Sequence, residues 1–355
     1  MTRRTRWLLL SIAVLAAVAI GYTGFWYHAA SLVREGVASW AVARRAEGYT
    51  VELGATVTSG FPFSIRLRID QPSIEAPEKQ WACKSDAIEA KLRPWDFRHF
   101  DIRPIGRQQT SYAKGEGREV ITSSADNAVA HVEFTINGRF DRATFYAEGL
   151  NVSAPDAPGP LTARIALATL NASQAPAAPD AAHGGTPQLP ISADLSFSLQ
   201  DVKLPEAVAG PLGAELAWIT AEAQILGPLK PGPPAIALAA WRNAGGAMDI
   251  RKFNIAWGPL QFSGNATVAL DSNMQPMGAG TGQIRGYSET IDSLVAQGLM
   301  KNRDGMLAKA GLGLLAKTPP EGGAKVLTVP LTVQQQTLFA GPVAILHIPT
   351  IAWAK

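Results

Sequence analysis

Asp96, His99 and Asp101 are the residues whose types and spacing come nearest to a site for proton transfer. Imidazole and carboxylate groups are the usual general acids and bases in enzymes. The competing interpretation is a solvated strand end, and the sequence favours it because the chain contains neither a His-Glu-x-x-His motif nor a Gly-x-Ser-x-Gly motif. We therefore predict no catalytic residues and a protein that is not an enzyme.

Metal and cofactor motifs are equally weak in this sequence. No two of the five histidines lie three to five residues apart, so no metal-binding pair at helical spacing is present. The segment 311–318 resembles a phosphate-binding loop, but it has Ala316 at the position where that loop needs glycine. Its pattern also predicts a helix rather than a loop. Cys83 is the only cysteine, which excludes an intrachain disulfide. We predict no metal and no cofactor.

The N-terminal segment decides where the chain is located. Residues 7–27 run for 21 residues without a charge, and about 20 apolar residues are needed to cross a bilayer core. Arg3, Arg4 and Arg6 precede this run, which predicts a cytoplasmic tail over 1–6 and a body outside the cytoplasm. The interpretation is a single-pass anchor in the inner membrane with a periplasmic body.

A cleaved signal peptide is the alternative for this segment. Ala17-Val18-Ala19 matches a small-residue cleavage site after a short apolar core. The apolar run continues to Tyr27, which is the length of a membrane span rather than of a signal core. Both interpretations place the body outside the cytoplasm.

The charge distribution argues against a nucleic-acid partner. Of the 32 basic and 29 acidic residues, six basic and two acidic ones precede Gly48, so the body from 48 onward carries a net charge of −1. Nucleic-acid binding needs a basic face that neutralises phosphates. We predict partners of another kind: the membrane itself, lipid, or envelope proteins.

The rest of the chain reads as mainly β, in an α+β class with a long antiparallel sheet. An apolar stripe at helical spacing predicts that residues 28–47 extend the membrane helix, with Gly48 ending it. We expect β-rich halves over 48–171 and 190–355, and a flexible loop or linker over 172–189. One continuous sheet and two domains remain open alternatives.

Local signals refine this outline. Asn137-Gly138 between two alternating runs predicts a hairpin turn. Two helices that cover the sheet are predicted near 288–317, capped by Ser288 and Asp304. A membrane-surface helix is the alternative interpretation of this region. Each Gly-Pro pair in the second half predicts a strand start or bend.

Short motifs near the first strands and at the end of the chain carry a family resemblance. The motif residues are Gly60, Phe61, Pro62, Phe63, Pro94, Trp95, Gly341 and Pro342. With the single anchor, they resemble an uncharacterised bacterial envelope family, domain of unknown function 2125, and the closing segment more distantly resembles AsmA-like proteins. The resemblance implies a bitopic protein with a periplasmic sheet that curls into an apolar groove for lipid, and it carries no catalytic residues.

A run of alternating residues after this motif is the predicted groove lining. Phe63, Ile65, Leu67 and Ile69 alternate with polar residues and so share one strand face. They line a lipid groove in one interpretation and belong to an ordinary core in the other. The predicted function is lipid binding, lipid transfer or envelope maintenance. The alternative is a scaffold that binds envelope proteins through strand edges, and a hydrolase of unfamiliar type is a third possibility.

Overall fold

A computed structural model of the protein describes residues 3–114, 117–155, 157–172, 189–230, 234–318 and 324–351. Most of these residues lie in strands, and every strand pairing with an assigned register is antiparallel. Four α-helices accompany the strands in these ranges, the first of them N-terminal, long and apolar. The predicted fold class, mainly β with an antiparallel sheet, a few helices and an N-terminal membrane-type helix, is confirmed.

Helix α1 (Arg3–Ala46) runs without interruption through both the predicted anchor and its predicted extension. At about 1.5 Å per residue, its 44 residues make a rod roughly 66 Å long. The helix ends where Gly48 adopts a φ of +91°, a left-handed conformation that glycine adopts without steric cost. The predicted end of the helix at Gly48 is therefore confirmed.

Two compact units make up the chain: Met1–Ser124 with Val129–Gly138, and Ala125–Ala128 with Arg139–Lys355. In the first unit β5 is the central strand, because β3, β4 and β6 all pair with it. β1 pairs with β4, β2 with β3, and both β7 and β8 with β6. The strands are β1 (Thr50–Glu52), β2 (Thr56–Ser59), β3 (Ile65–Asp70), β4 (Ser73–Glu75), β5 (Trp81–Arg93), β6 (Asp96–Lys114), β7 (Gly117–Ser124) and β8 (Asn127–Phe134), the last of which begins in the second unit.

The outer part of α1 packs on this first unit. Trp26, Ala29 and Ala30 form a buried cluster with Ile65 of β3 and Leu92 of β5. Small alanines let the helix backbone approach the sheet closely, and Trp26 fills the remaining space. Of the predicted stripe, Val33 packs against this cluster and Ala41 is buried, whereas Leu32 and Trp40 are exposed.

The second unit is a meander in which each strand pairs with the next along the chain. Pairing runs without a break in order from β9 to β18. The strands are β9 (Phe140–Ser153), β10 (Leu161–Ala172), β11 (Ile191–Lys203), β12 (Glu215–Leu226), β13 (Ala247–Trp257), β14 (Leu260–Leu270), β15 (Pro276–Arg285), β16 (Leu327–Gln334), β17 (Thr337–Ala340) and β18 (Val343–His347).

The boundary between the units does not follow the predicted halves. β10 and β11, which flank the predicted linker 172–189, pair with each other and belong to the same unit. The predicted flexibility concerns residues 173–188, which lie outside the described residues. The division falls instead near 124–139, where Asn137 and Gly138 form the predicted turn with Gly138 at a φ of +72°.

Three further helices belong to the second unit: α2 (Pro234–Asn243), α3 (Tyr287–Ala296) and α4 (Asn302–Leu315). The sequence prediction found α3 and α4 but missed α2. The predicted caps were wrong. Gly286 and Lys301 precede the two helices without a side-chain cap hydrogen bond, so Ser288 and Asp304 lie inside the first turns.

Candidate functional site

A run of glycines in β15 creates an open apolar feature in the second unit. Gly278, Gly280 and Gly282 alternate along the strand, so the same face of β15 lacks side chains at three successive positions. Their partners on β14 are Val268, Ala266 and Gly264, which are mostly small as well. The sheet surface therefore has a depression along β14 and β15, where side chains are small or absent.

Larger side chains flank this depression on both sides. Ile250, Phe253 and Ile255 of β13 form one wall, and Val329, Leu331 and Val333 of β16 form the other. Leu338 of β17 and Ile345 of β18 extend the second wall. Together they enclose a cavity of about 550 Å³, which we call the apolar groove.

Phe262 closes one end of the apolar groove. Its ring lies over Gly282, where an added Cβ would come within 2.7 Å of the ring carbon Cε2. The ring also packs against Phe253, with centroids 6.0 Å apart and planes at 63°. Glycine at 282 is thus required for the ring position that shapes this end.

A smaller cavity of about 280 Å³ shares Val268 with the apolar groove. Leu229, Leu238 and Trp241 line it together with Ile351. Trp241 is buried and donates a hydrogen bond from Nε1 to the Leu226 carbonyl at 2.8 Å, so the rim of this cavity is fixed. The two cavities form a continuous apolar surface along β14.

The dimensions and chemistry of the groove suit a hydrocarbon chain. From Phe262 to Val268 the strand rises about 20 Å at roughly 3.4 Å per residue, which exceeds the thickness of one leaflet, about 15 Å. Among the described residues that line the two cavities, none is charged. Asn265 and Thr332 alternate with Ala266 and Leu331, so their side chains point to the opposite face of the sheet.

A family model matches residues 26–349 of this chain, and it describes an uncharacterised protein conserved in bacteria, DUF2125. The protein belongs to this bacterial family. No curated protein and no solved structure matches the chain significantly. The more distant relation to AsmA-like proteins stays a prediction.

The predicted groove lining of this DUF2125 protein belongs to the first unit, whereas the apolar groove belongs to the second. Phe63 precedes β3, in the turn before it, and is 75% exposed. Ile65 and Leu67 are buried, and Ile69 is half-buried. Ile65 contacts α1. The sequence signal for the apolar groove is the alternation of glycines at 278, 280 and 282.

The motif residues of the DUF2125 resemblance all lie in turns. Gly60 to Phe63 form the turn before β3, Pro94-Trp95 joins β5 to β6, and Gly341-Pro342 joins β17 to β18. The backbone of the first turn is held to α1, because Tyr22 donates its hydroxyl hydrogen bond to the Pro62 carbonyl at 2.5 Å. The first of these turns therefore helps to hold α1 against the first unit.

Asp96, His99 and Asp101, the residues considered for proton transfer, line one cavity of about 400 Å³ in the first unit, and each aspartate pairs with a histidine. Nδ1 of His99 lies 2.7 Å from Oδ2 of Asp96, and Nδ1 of His131 lies 2.7 Å from Oδ1 of Asp101. Burial acts to raise the pKa of Asp96, but hydrogen bonds from His99 and the Arg98 backbone outweigh it, so the pKa lies below its ordinary value. Both histidine side chains are largely exposed, which fits a solvated strand end.

A metal site was not predicted, and within the described residues no group of three or more potential ligands is found. Cys83 lies on β5, half-buried, with its sulfur 3.7 Å from Oγ1 of Thr110. Residues 311–315 lie at the end of α4, so the glycines there are helical and do not form a phosphate loop.

The apolar part of α1 is exposed from Trp7 to Gly21, whereas Tyr22 and Thr23 are half-buried and Trp26 is buried in the first unit. Within α1, one stretch of 18 residues has a mean hydropathy of 2.2 and none of it is buried. Trp7, Leu15 and Ile20 are all exposed. By length and composition this helix is able to cross a membrane.

Proposed function

We propose that this DUF2125 protein is a non-enzymatic, inner-membrane protein of the bacterial envelope that binds lipid hydrocarbon in the apolar groove. The observation that carries the proposal is a groove of about 550 Å³ whose walls are aliphatic and aromatic side chains from β13 to β18. Each methylene group moved from water into such a site contributes about 0.8 kcal/mol. An acyl chain is the ligand that uses this surface best.

The proposed location of the protein in the cell follows from the sequence and exposure of α1. Exposed leucine, isoleucine and valine side chains over residues 8–20 are unfavourable in water and favourable in a bilayer. Arg3, Arg4 and Arg6 before the span favour a cytoplasmic N-terminus, which leaves the body in the periplasm. A tethered body samples lipid at high effective concentration.

Photo-crosslinking of the full-length protein in its native membrane tests the lipid proposal. The probe is a phosphatidylethanolamine that carries a diazirine in one acyl chain, and adducts are mapped by peptide mass spectrometry. We expect adducts on β13 to β18. Val268→Trp fills the junction of the two cavities and should abolish most of these adducts.

The matched control is Thr267→Trp, which adds the same ring to the neighbouring, exposed residue on the opposite face of β14. Adduct formation in this variant should equal that of the wild type. Equal labelling of both variants, or folded wild-type protein without adducts in the second unit, would refute lipid binding in the groove.

A scaffold that binds a protein strand is the second candidate, and β18 favours it. Val343, Ile345 and Leu346 are exposed on this short strand, and within the described residues its assigned ladder is with β17. An open edge of this kind accepts an added strand. Ala344→Pro removes a backbone donor from this edge, so loss of a co-purifying protein in this variant with lipid adducts unchanged would favour the scaffold.

A further inference from the structure

The start of β3 and the end of β5 lie at one end of the first unit. Ile65 pairs with Leu92, so the turn before β3 and the turn after β5 lie side by side. Aromatic side chains are exposed here: Phe61 and Phe63 on the first turn, Trp95 on the second, and Phe97 at the start of β6. We call these four residues the aromatic rim.

The aromatic rim adjoins α1 near the end of the predicted membrane span at Tyr27. Trp26 contacts Phe61 edge-on, with ring centroids 5.5 Å apart, and Tyr22 binds the Pro62 carbonyl. Tyr22 lies five residues inside the end of the predicted span at Tyr27. At about 1.5 Å per residue, this places the Pro62 contact roughly 7 Å inside that end.

This position lies close to the polar–apolar boundary of a bilayer. Residues 7–27 are about 32 Å long at about 1.5 Å per residue, nearly the same as the hydrocarbon core of about 30 Å, so the Pro62 contact lies roughly 7 Å to the hydrocarbon side of that boundary. Aromatic residues are enriched at this boundary. Phe25 and Tyr27 of α1 are exposed in the same region of the helix, and Arg93 beside Trp95 supplies an exposed cation for lipid phosphate.

We infer that the aromatic rim is a second membrane contact, which inserts at the polar–apolar boundary of the bilayer that α1 spans. The inference rests on the proposed anchoring by α1 but is independent of the apolar groove. Its partner is phospholipid at the interface, because the rim is continuous with the exposed apolar surface of the helix. The rim would fix the depth at which the first unit meets the membrane.

Lipid-borne quenchers measure this depth in the full-length protein. In a Cys83→Ser background, single cysteines at Leu15, Trp95 and Glu78 carry the fluorophore NBD, and the protein is placed in phosphatidylcholine–phosphatidylglycerol nanodiscs with doxyl-labelled lipid. Glu78 is the control, because it is exposed and lies beyond the opposite end of β5, about 40 Å from Trp95 along the strand. Phe63→Cys repeats the measurement on the other turn.

We expect shallow doxyl lipid to reduce the emission of the labels at Trp95 and Phe63 by about half or more, while the label at Glu78 stays unquenched and accessible to iodide. Quenching at Leu15 without quenching at Trp95 and Phe63 would leave the anchor intact and refute the rim contact. No quenching at Leu15 would refute the anchor and the rim together. If the emission of the label at Trp95 were blue-shifted but not quenched by doxyl lipid, the label would be buried against protein rather than lipid. That result would overturn the inference.

Discussion

Trp26 of the anchor helix donates a hydrogen bond from Nε1 to the backbone carbonyl of Ser64, at 3.0 Å. The same side chain is buried against Ile65 and Leu92. A single residue therefore joins α1 both to the turn before β3 and to the core beneath it.

Removal of this side chain should destabilise the first unit strongly. Trp26→Ala leaves a cavity and an unpaired carbonyl, and we expect a loss of about 3–5 kcal/mol in the free energy of unfolding. Trp26→Phe keeps most of the packing and should cost about 1–3 kcal/mol. Leu32→Ala, at an exposed position of the same helix, should change stability by less than about 0.5 kcal/mol. Denaturant unfolding in detergent measures the three variants, and equal losses in all of them would contradict the docking role.

The membrane topology can be measured with cysteine labelling. In a Cys83→Ser background, Arg4→Cys and Glu289→Cys place one thiol in the tail and one on exposed α3. An impermeant maleimide added to spheroplasts should label Glu289→Cys and spare Arg4→Cys, because the arginines retain the N-terminus inside. Inverted vesicles should give the opposite pattern. Labelling of Arg4→Cys alone in spheroplasts would reverse the proposed orientation.

The geometry of the apolar groove depends on Gly282. A Cβ at this position meets the Phe262 ring, so Gly282→Val should displace the ring, cost about 1–3 kcal/mol and lower lipid adduct formation. Gln283→Val changes the adjacent, exposed position and should leave adduct formation unchanged. The photo-crosslinking yield in the two variants tests this prediction. If Gly282→Val gave the same photo-crosslinking yield as the wild type, lipid binding would not depend on the position of the Phe262 ring.

The pKa of Asp96 should make the first unit less stable in acid. Hydrogen bonds from His99 and the Arg98 backbone lower the folded-state pKa below the ordinary value of 3.8. The stabilisation is therefore complete above the unfolded-state pKa and is lost as the pH falls through the folded-state value. Unfolding free energies at pH 6 and below pH 4 should differ less in Asp96→Asn than in the wild type. An identical pH dependence would show that this pair contributes nothing.

The face of α4 that points away from α3 should tolerate polar substitution. Leu314 is 88% exposed, so Leu314→Gln should leave stability within about 0.5 kcal/mol of the wild type. Gly305 faces α3, and a Cβ there would lie 2.7 Å from Cγ2 of Val295, so Gly305→Leu should separate the helices and destabilise the unit. Thermal unfolding followed by circular dichroism compares the two. Equal melting points would contradict the packing of α3 on α4.

The sequence predicted periodic features well and tertiary placement poorly. The uncharged run at 7–27 and the glycine at 48 were sufficient to predict α1 and its end, because both signals are local. Alternation at Ile65, Leu67 and Ile69 correctly predicted a strand with one buried face. Alternation does not reveal what covers that face, and here α1 covers Ile65.

The apolar groove was harder to predict because its signal is an absence of side chains. Gly278, Gly280 and Gly282 produce a depression only when β13 and β16 supply taller neighbours, and strand order is not contained in local periodicity. Helix α2 was missed for a related reason. Its segment is short and alanine-rich, and its position depends on the packing of Trp241 against Leu226 and Gly246.

The unbroken course of α1 has a mechanical consequence. The helix has no hinge between its exposed apolar segment and Trp26, so the first unit does not reorient independently of that segment. When the bilayer thins or thickens, a spanning helix adjusts its tilt. In the proposed topology the first unit would then incline with the helix, so membrane thickness would set the angle at which the first unit is held.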